Sequence, residues 1–239
     1  MLAIVTGTIQ PGVEVGQLTI RNTTERLKQY IDSIQFLIDS KAFSKIIFCE
    51  NSGYGVEELK ELEVAARKEN IQLELLSFVG NKEQLLIHGK GYGEGEIMKY
   101  VFCHSHVIGN EKAFVKITGR MKIVNIKKIV SNFKEGKTYF NIPNRTLRTL
   151  YDTRMYAMPV NQFQKYFMNR YEEVMDSQGY YLEHVYTGIL KEEGIAVTNF
   201  PRYPRIVGIS GSTGNTYTYT EWKCKIKDII SFFGGYKVQ

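Results

Sequence analysis

Two spacings of apolar residues organise the chain. Residues 2–5 form an uninterrupted apolar run, which is how a strand buried on both faces reads, and they lead into the small and turn-forming residues 6–12. From residue 26 to 38, Leu27, Tyr30, Ile31, Ile34, Leu37 and Ile38 recur at helical spacing and predict a helix with one apolar face. Residues 45–49 predict a second strand ending in Glu50-Asn51-Ser52-Gly53. Val56, Leu59, Leu62 and Ala66 predict a second helix, and a third strand is expected around residues 71–79. This β-α-β-α-β order predicts a parallel sheet covered by helices, with ligand loops at the carboxyl ends of its strands.

The alternation continues beyond it. Residues 93–105 read as a helix with Ile97, Val101 and Phe102 inward, and residues 113–118 as an apolar strand ending in Gly119-Arg120. The polar stretch 131–149, with Gly136, Pro143 and several basic residues, reads as a mobile excursion of the kind that forms a lid or acceptor loop. A strand is expected at 153–157. Pro159 suits the first turn of a following helix, where Phe163, Phe167 and Val174 supply the apolar stripe, and residues 180–191 predict a further helix. At the end, Trp222, Ile226, Ile229, Ile230 and Phe233 fall on one helical face flanked by Lys223, Lys225 and Lys227. No repeat and no linker divides the chain, so residues 1–239 are expected to form one domain.

Composition narrows the class. With 239 residues, 43% hydrophobic, 23% charged, 21 Gly and 5 Pro, the chain can bury a substantial core and is neither disordered nor collagenous. The net charge of +6 suits a polyanion, a nucleoside diphosphate or an acidic membrane surface and selects none of them. Cys49, Cys103 and Cys224 are odd in number and far apart, which argues for a reducing compartment, with the cytoplasm as the expected location. No basic flank precedes the first apolar run, and no run of ~18 apolar residues occurs, so neither secretion nor membrane spanning is expected.

Several motifs invite chemistry. Gly89-Lys90-Gly91-Tyr92-Gly93-Glu94-Gly95 lacks the glycine spacing of a dinucleotide fingerprint and the Gly-Lys-Ser/Thr of a P-loop. What remains is a flexible segment entering a helix, whose N–H groups could meet an anion. Cys103, His104 and His106 have no fourth ligand nearby and point apart on a helix, so no zinc site is expected. No metalloprotease His-Glu-x-x-His and no Gly-x-Ser-x-Gly elbow is present. The five aspartates include no Asp-x-Asp pair, the usual device for holding a divalent ion against a diphosphate. The strand at 113–118 ends instead in Lys116-Ile117-Thr118-Gly119-Arg120. Strand alternation puts Lys116 and Thr118 on one side, and Gly119 lets the chain turn Arg120 toward the same ligand. Residues 208–214, rich in Gly, Ser and Thr, could fold over phosphate oxygens. The lysine-flanked helix at the end could touch an anionic membrane or dock on the sheet.

Taken together, Thr6-Gly7-Thr8-Ile9, the run 48–53, the glycine run 89–94, residues 114–120, Asp152-Thr153-Arg154 and Tyr181-Leu182-Glu183-His184 resemble the small glycosyltransferases of bacterial capsule and lipopolysaccharide gene clusters. The resemblance covers nearly the whole chain, and Lys-Ile-Thr-Gly-Arg is its most specific motif. It implies an α/β fold of the GT-A-like, Rossmann-like type, with a mostly parallel sheet and helices on both faces. Residues 1–120 would form the donor-binding half and 121–239 the acceptor and catalytic half. The implied donor is a nucleoside diphosphate sugar, UDP-linked, and the implied acceptor a glycan or lipid-linked glycan, with peripheral membrane contact and no nucleic acid as partner. Thr8 and Pro11 would lie near the nucleotide, Glu50 or Asn51 near the base or ribose, and Arg26 would reach the nucleotide if its helix faces the cleft. Gly89, Lys90, Gly91, Lys116, Thr118, Gly119 and Arg120, with Ser210 and Ser212, would surround the diphosphate in place of a metal, so no cofactor is expected. Glu183 takes the place of the catalytic carboxylate of inverting enzymes, with Asp152 as the next candidate. Asp152 and Arg154 would orient the donor sugar or the acceptor. The rival expectation is a non-catalytic nucleic-acid-binding or polysaccharide-assembly protein, for which 16 Tyr and 13 Phe with a basic excess could supply stacking and phosphate contacts.

Overall fold

A computed structural model describes residues 1–12, 20, 22–141, 149–209 and 214–232. Its strands are β1 (Leu2–Gly7), β2 (Lys45–Glu50), β3 (Gln72–Ser77), β4 (Ala113–Thr118), β5 (Met121–Ile123), β6 (Thr138–Asn141), β7 (Asp152–Pro159), β8 (Val197–Asn199), β9 (Ile206–Ile209) and β10 (Thr216–Tyr217). Its helices are α1 (Thr23–Ser40), α2 (Lys60–Lys68), α3 (Lys82–His88), α4 (Lys90–His104), α5 (Ile126–Val130), α6 (Val160–Gln162), α7 (Leu182–Glu192) and α8 (Glu221–Phe232).

Seven strands form one sheet in the order β3-β2-β1-β4-β7-β6-β8, and β10, β9 and β5 form a small second sheet. β1 pairs in parallel with both β2 and β4, β2 pairs in parallel with β3, and β6 with β8. β7 is inserted antiparallel between β4 and β6. The central strand is apolar on both faces because both are covered. Leu2 and Ile4 pack with α4 and α7, while Ala3 and Val5 pack with α1, α2 and α5. The fold is thus an α/β sandwich with a mostly parallel central sheet and helices on both faces, as expected.

Three local expectations change. The glycine run is no loop: Gly89 caps α4 with φ of 93°, and residues 90–95 are its first turns. A Cβ on Gly89 would lie 2.4 Å from Asp176, and one on Gly95 2.0 Å from the Tyr171 side chain, so these glycines let the helix press against residues 171–176. The excursion at 131–149 contains β6, a strand inside the sheet; residues 142–148 lie outside the described part. Pro159 ends β7 and caps α6, and the helix breaks into a wider turn over Phe163–Phe167 rather than running on to Val174.

Among the described residues no helix is long and apolar enough to cross a membrane.

Candidate active site

The order of chain connections reverses between β1, which is followed by β2 on one side, and β4 on the other. In open α/β sheets a crevice forms outside the carboxyl ends of the strands at such a point. A cleft of about 920 Å³ opens there. Because β7 runs antiparallel, its first residues arrive at the same edge as the carboxyl ends of β1–β4. Two walls result.

The first wall comes from the loops after β1, β2 and β3. The Thr8 hydroxyl donates to Asn51 Oδ1 at 2.6 Å, and the Thr8 N–H donates to the Tyr30 hydroxyl at 2.8 Å. Arg26, on the first turn of α1, donates to the Thr8 carbonyl at 2.8 Å and to the Ile20 carbonyl at 3.1 Å. Its helix does face the cleft, but its guanidinium is buried and spent on holding backbone. That burial lowers its pKa, with Arg120 opposing the charge as well. Glu50 is fully buried behind the wall. It accepts from the Ser52 N–H at 2.8 Å, the Gly55 N–H at 3.3 Å, and the hydroxyls of Ser52 and Ser77. It is therefore the clamp of the loop that presents Asn51, and the expected contact with base or ribose falls to Asn51 alone.

The second wall comes from α4, the end of β4, the start of β7 and the start of α7. Lys116, expected at the diphosphate, is fully buried and does not reach the cleft. Ile4 is its neighbour across the sheet, and both lie on the face covered by α4. Its ammonium is saturated: it pairs with Glu94, donates to Thr118 Oγ1 at 2.9 Å and to the Thr153 carbonyl at 2.9 Å. The three ammonium protons have three acceptors, so Lys116 supports the wall instead of binding from it. Thr153 continues the network, its hydroxyl donating to Glu183 Oε1 at 2.7 Å. The Glu183 carboxyl lines the cleft beside the start of α7. Burial raises its pKa above the ordinary carboxylate range; the Thr153 hydrogen bond opposes this, and the charges of Glu94 and Asp152 add to it.

Asp152 is buried under Arg154 and pairs with it bidentately, its Oδ1 and Oδ2 lying 2.9 and 3.0 Å from Arg154 Nε. It also accepts the Arg154 N–H at 2.9 Å. With its oxygens taken up and no place in the lining, Asp152 positions Arg154 and is no alternative base. Arg154 reaches the cleft and stacks on Tyr217 of β10, its guanidinium carbon 5.1 Å from the ring centre. Arg120 also lines the cleft and donates to Gln29 at 3.1 Å.

The structure thus brings Thr8, Pro11, Arg26, Asn51, Lys90, Gly91, Thr118, Arg120, Arg154 and Glu183 to one cleft. Glu50, Lys116 and Asp152 stand behind it. Gly119 lies there too, where a Cβ would meet the Thr6 carbonyl at 2.5 Å, which makes it a close-approach glycine under the sheet edge. Gly89 serves the helix cap described above. The anion expected at the start of α4 is already present: Asp176 accepts from the Gly91 N–H at 3.3 Å. Ser210 and Ser212 lie outside the described residues. Sequence reasoning missed Glu94, Asp176, Tyr30 and Tyr217 as parts of the cleft. Only Glu94 had a local signal, its place inside the glycine run.

Cys103 is exposed, and His104 stacks on Tyr100 at 4.0 Å between ring centres. Among the described residues no group of three His, Cys, Asp or Glu could hold a metal ion.

No protein-family profile matches the chain, and no curated protein matches it. Solved structures do. One, from Desulfovibrio desulfuricans G20 and described as a nucleotide-diphospho-sugar transferase, has a TM-score of 0.50 at 10% identity, with 83% of this chain and 78% of that one covered. Another, a nucleoside-diphosphate-sugar pyrophosphorylase from Vibrio cholerae RC9, has a TM-score of 0.48 at 10% identity, covering 84% of this chain and 91% of that one. The first comparison shows the shared fold, which is GT-A-like.

Proposed function

We propose that the protein is a glycosyltransferase that moves a sugar from a nucleoside diphosphate sugar, a UDP-sugar, to a hydroxyl of a glycan or lipid-linked glycan in bacterial surface polysaccharide synthesis. The observation that carries this reading is one cleft, at the switch point of a GT-A-like sheet, in whose lining the Glu183 carboxyl, its pKa raised by burial, stands with the guanidinium groups of Arg120 and Arg154. The transferase description of the solved structure with the same fold supports the donor class, and the resemblance of the motifs supports the acceptor class.

In this mechanism Asn51 and the Thr8 loop take the nucleoside. Arg120 and Arg154 stabilise the charge that grows on the departing diphosphate as the anomeric C–O bond breaks, the task that an Asp-x-Asp-bound ion performs elsewhere. Glu183 accepts the proton of the attacking acceptor hydroxyl as the new C–O bond forms, so the configuration inverts. Thr153 fixes the carboxylate, Asp152 fixes Arg154, and Lys116 ties Thr153 to α4. Most of the aromatic residues pack in the two cores, which leaves few of them for base stacking and weighs against the nucleic-acid alternative.

Isothermal titration with UDP, GDP and UDP-sugars, with and without EDTA, tests the donor step. Saturable binding of one nucleoside diphosphate that survives EDTA is expected. Binding abolished by EDTA and restored by manganese would overturn the metal-independent part, and binding of single-stranded RNA without UDP would overturn the whole reading.

A further inference from the structure

Helix α8 is docked the wrong way round for an ordinary amphipathic helix. Its acidic residues are tied to the body of the protein through Arg205. Asp228 is buried and accepts from the Tyr203 N–H at 2.6 Å and from Arg205 Nη2 at 3.1 Å, and Glu221 accepts from Arg205 Nε at 2.9 Å. Cys224 lies buried on the same side. Its apolar residues face outward: Trp222, Ile226 and Ile229 are 60%, 49% and 59% exposed. At 100° per residue these three lie within one arc of the helix. Lys225 flanks that arc on one edge and Lys223 on the other, both exposed, with Lys227 just beyond Lys223.

The charge pattern selects the occupant. The two acidic residues of α8 are both bound to Arg205: Asp228 is buried, and Glu221, half-exposed, has its charge matched by Arg205, so the exposed apolar arc is flanked by Lys223 and Lys225 with no unpaired acid beside it. An indole between lysines above branched aliphatic side chains suits the boundary between anionic headgroups and acyl chains. We propose that α8 is a membrane-docking helix that lies in the plane of an anionic lipid surface, with Trp222, Ile226 and Ile229 in the acyl boundary and Lys223 and Lys225 on the headgroups. The contact depends on no ligand in the cleft and stands apart from the transferase reading. It has a positional consequence nonetheless. Tyr217, which lines the cleft, precedes Trp222 by only five residues, so docking through α8 sets one wall of the cleft beside the lipid surface.

Trp222 is the single tryptophan of the chain, so its fluorescence reports on this face directly. The full chain is titrated with vesicles of phosphatidylcholine alone and of phosphatidylcholine mixed with phosphatidylglycerol, following emission and co-sedimentation. A blue shift and co-sedimentation on the mixed vesicles only, weakened by high salt, are expected. Lys223→Gln with Lys225→Gln is expected to weaken partitioning by roughly fivefold per lysine. Ile226→Ser with Ile229→Ser is expected to weaken it by roughly tenfold per isoleucine. Both variants change exposed side chains, and an unchanged thermal midpoint verifies that each is folded. Absence of a shift with either vesicle overturns the proposal. So does a blue shift that grows with protein concentration without lipid and accompanies dimers in sedimentation velocity, because the face then belongs to a second copy. Equal binding to both vesicles overturns the role of the lysines.

Discussion

The two walls of the cleft use charge in opposite ways. On the first, Arg26 and Glu50 spend their hydrogen bonds on backbone and on neighbouring hydroxyls, and the surface they leave to a ligand is neutral at Thr8, Asn51 and Ser52, with Lys82 after β3 as the charged exception. On the second, buried ions hold other charged groups. Asp152 presents Arg154, and the Lys116–Glu94 pair, through Thr153, presents Glu183. A buried charge that binds backbone shapes a loop; a buried charge that binds another side chain leaves a reactive group poised at the surface. The first arrangement suits recognition of a nucleoside, the second suits bond breaking.

The sharpest way to break this contrast is at Glu183. Glu183→Gln keeps the size and the Thr153 contact and removes the base, so turnover is expected to fall about 10²–10⁴-fold while donor affinity measured by calorimetry stays nearly unchanged. A large loss of affinity with unchanged turnover of bound donor would move Glu183 to the binding wall. Its protonation gives a second reading. Because the folded pKa is raised, the rate on the acid side should fall off at a pH above the ordinary carboxylate range. The same shift means that the folded chain holds this proton more tightly than the unfolded chain. The group therefore favours the fold below the ordinary carboxylate pKa, and that contribution is lost as pH rises through the raised value. Urea unfolding of wild type and Glu183→Gln across this range checks the sign.

Next in size is the ion pair. Glu94→Ala leaves the fully buried Lys116 without its counter-charge and is expected to cost about 3–5 kcal/mol of stability. Lys116→Met fills the same space and leaves Glu94, whose side chain reaches the cleft, so urea midpoints should show the smaller loss for it. The reverse order would mean that the pair is not organised from the lysine outward. On the first wall, Glu50→Ala frees four donors and should cost about 1–3 kcal/mol in stability, with weaker nucleoside binding and unchanged turnover of bound donor. The smallest effect is expected at Tyr217. Tyr217→Ala removes the face on which Arg154 rests, worth about 0.5–1 kcal/mol, read as a change of a few fold in UDP affinity with little change in nucleoside affinity.

The sheet was readable in advance where strands are covered on both sides, because β1, β2 and β4 are apolar runs that need no partner to be recognised. β6 was hidden: its four residues sit among polar neighbours, and only pairing with β7 and β8 makes them a strand. The glycine run misled for a related reason. Glycine signals a turn by local rules, whereas here it signals the approach of Tyr171 and Asp176 from 76 or more residues away in sequence, and no local pattern carries that. Lys116 was more legible than the phosphate reading allowed. It lies between Val115 and Ile117 in a strand of a doubly covered sheet, which places its side chain indoors whatever the ligand. The cleft lies at the expected strand ends, since the switch point follows from element order, but Glu50, Lys116 and Asp152 at those ends stand behind its surface. The partners that hold them, Glu94, Asp176 and Tyr217, depend on packing between distant segments.

The position of β1 at the centre of the sheet also governs how the chain is made. β1 leaves the ribosome before β2 and β3, which follow within residues 45–77. Its other edge must wait for β4 at residues 113–118, and β4 in turn waits for β7. Throughout that interval the nascent chain carries an unpaired apolar strand edge, the kind of surface that recruits other chains. The stretch between β3 and β4 is mostly helical and can cover one face of the young sheet, but it cannot close the edge. The segment that completes the second wall of the cleft is therefore also the one that closes the central edges of the sheet, leaving open strand edges only toward its borders at β3 and β8.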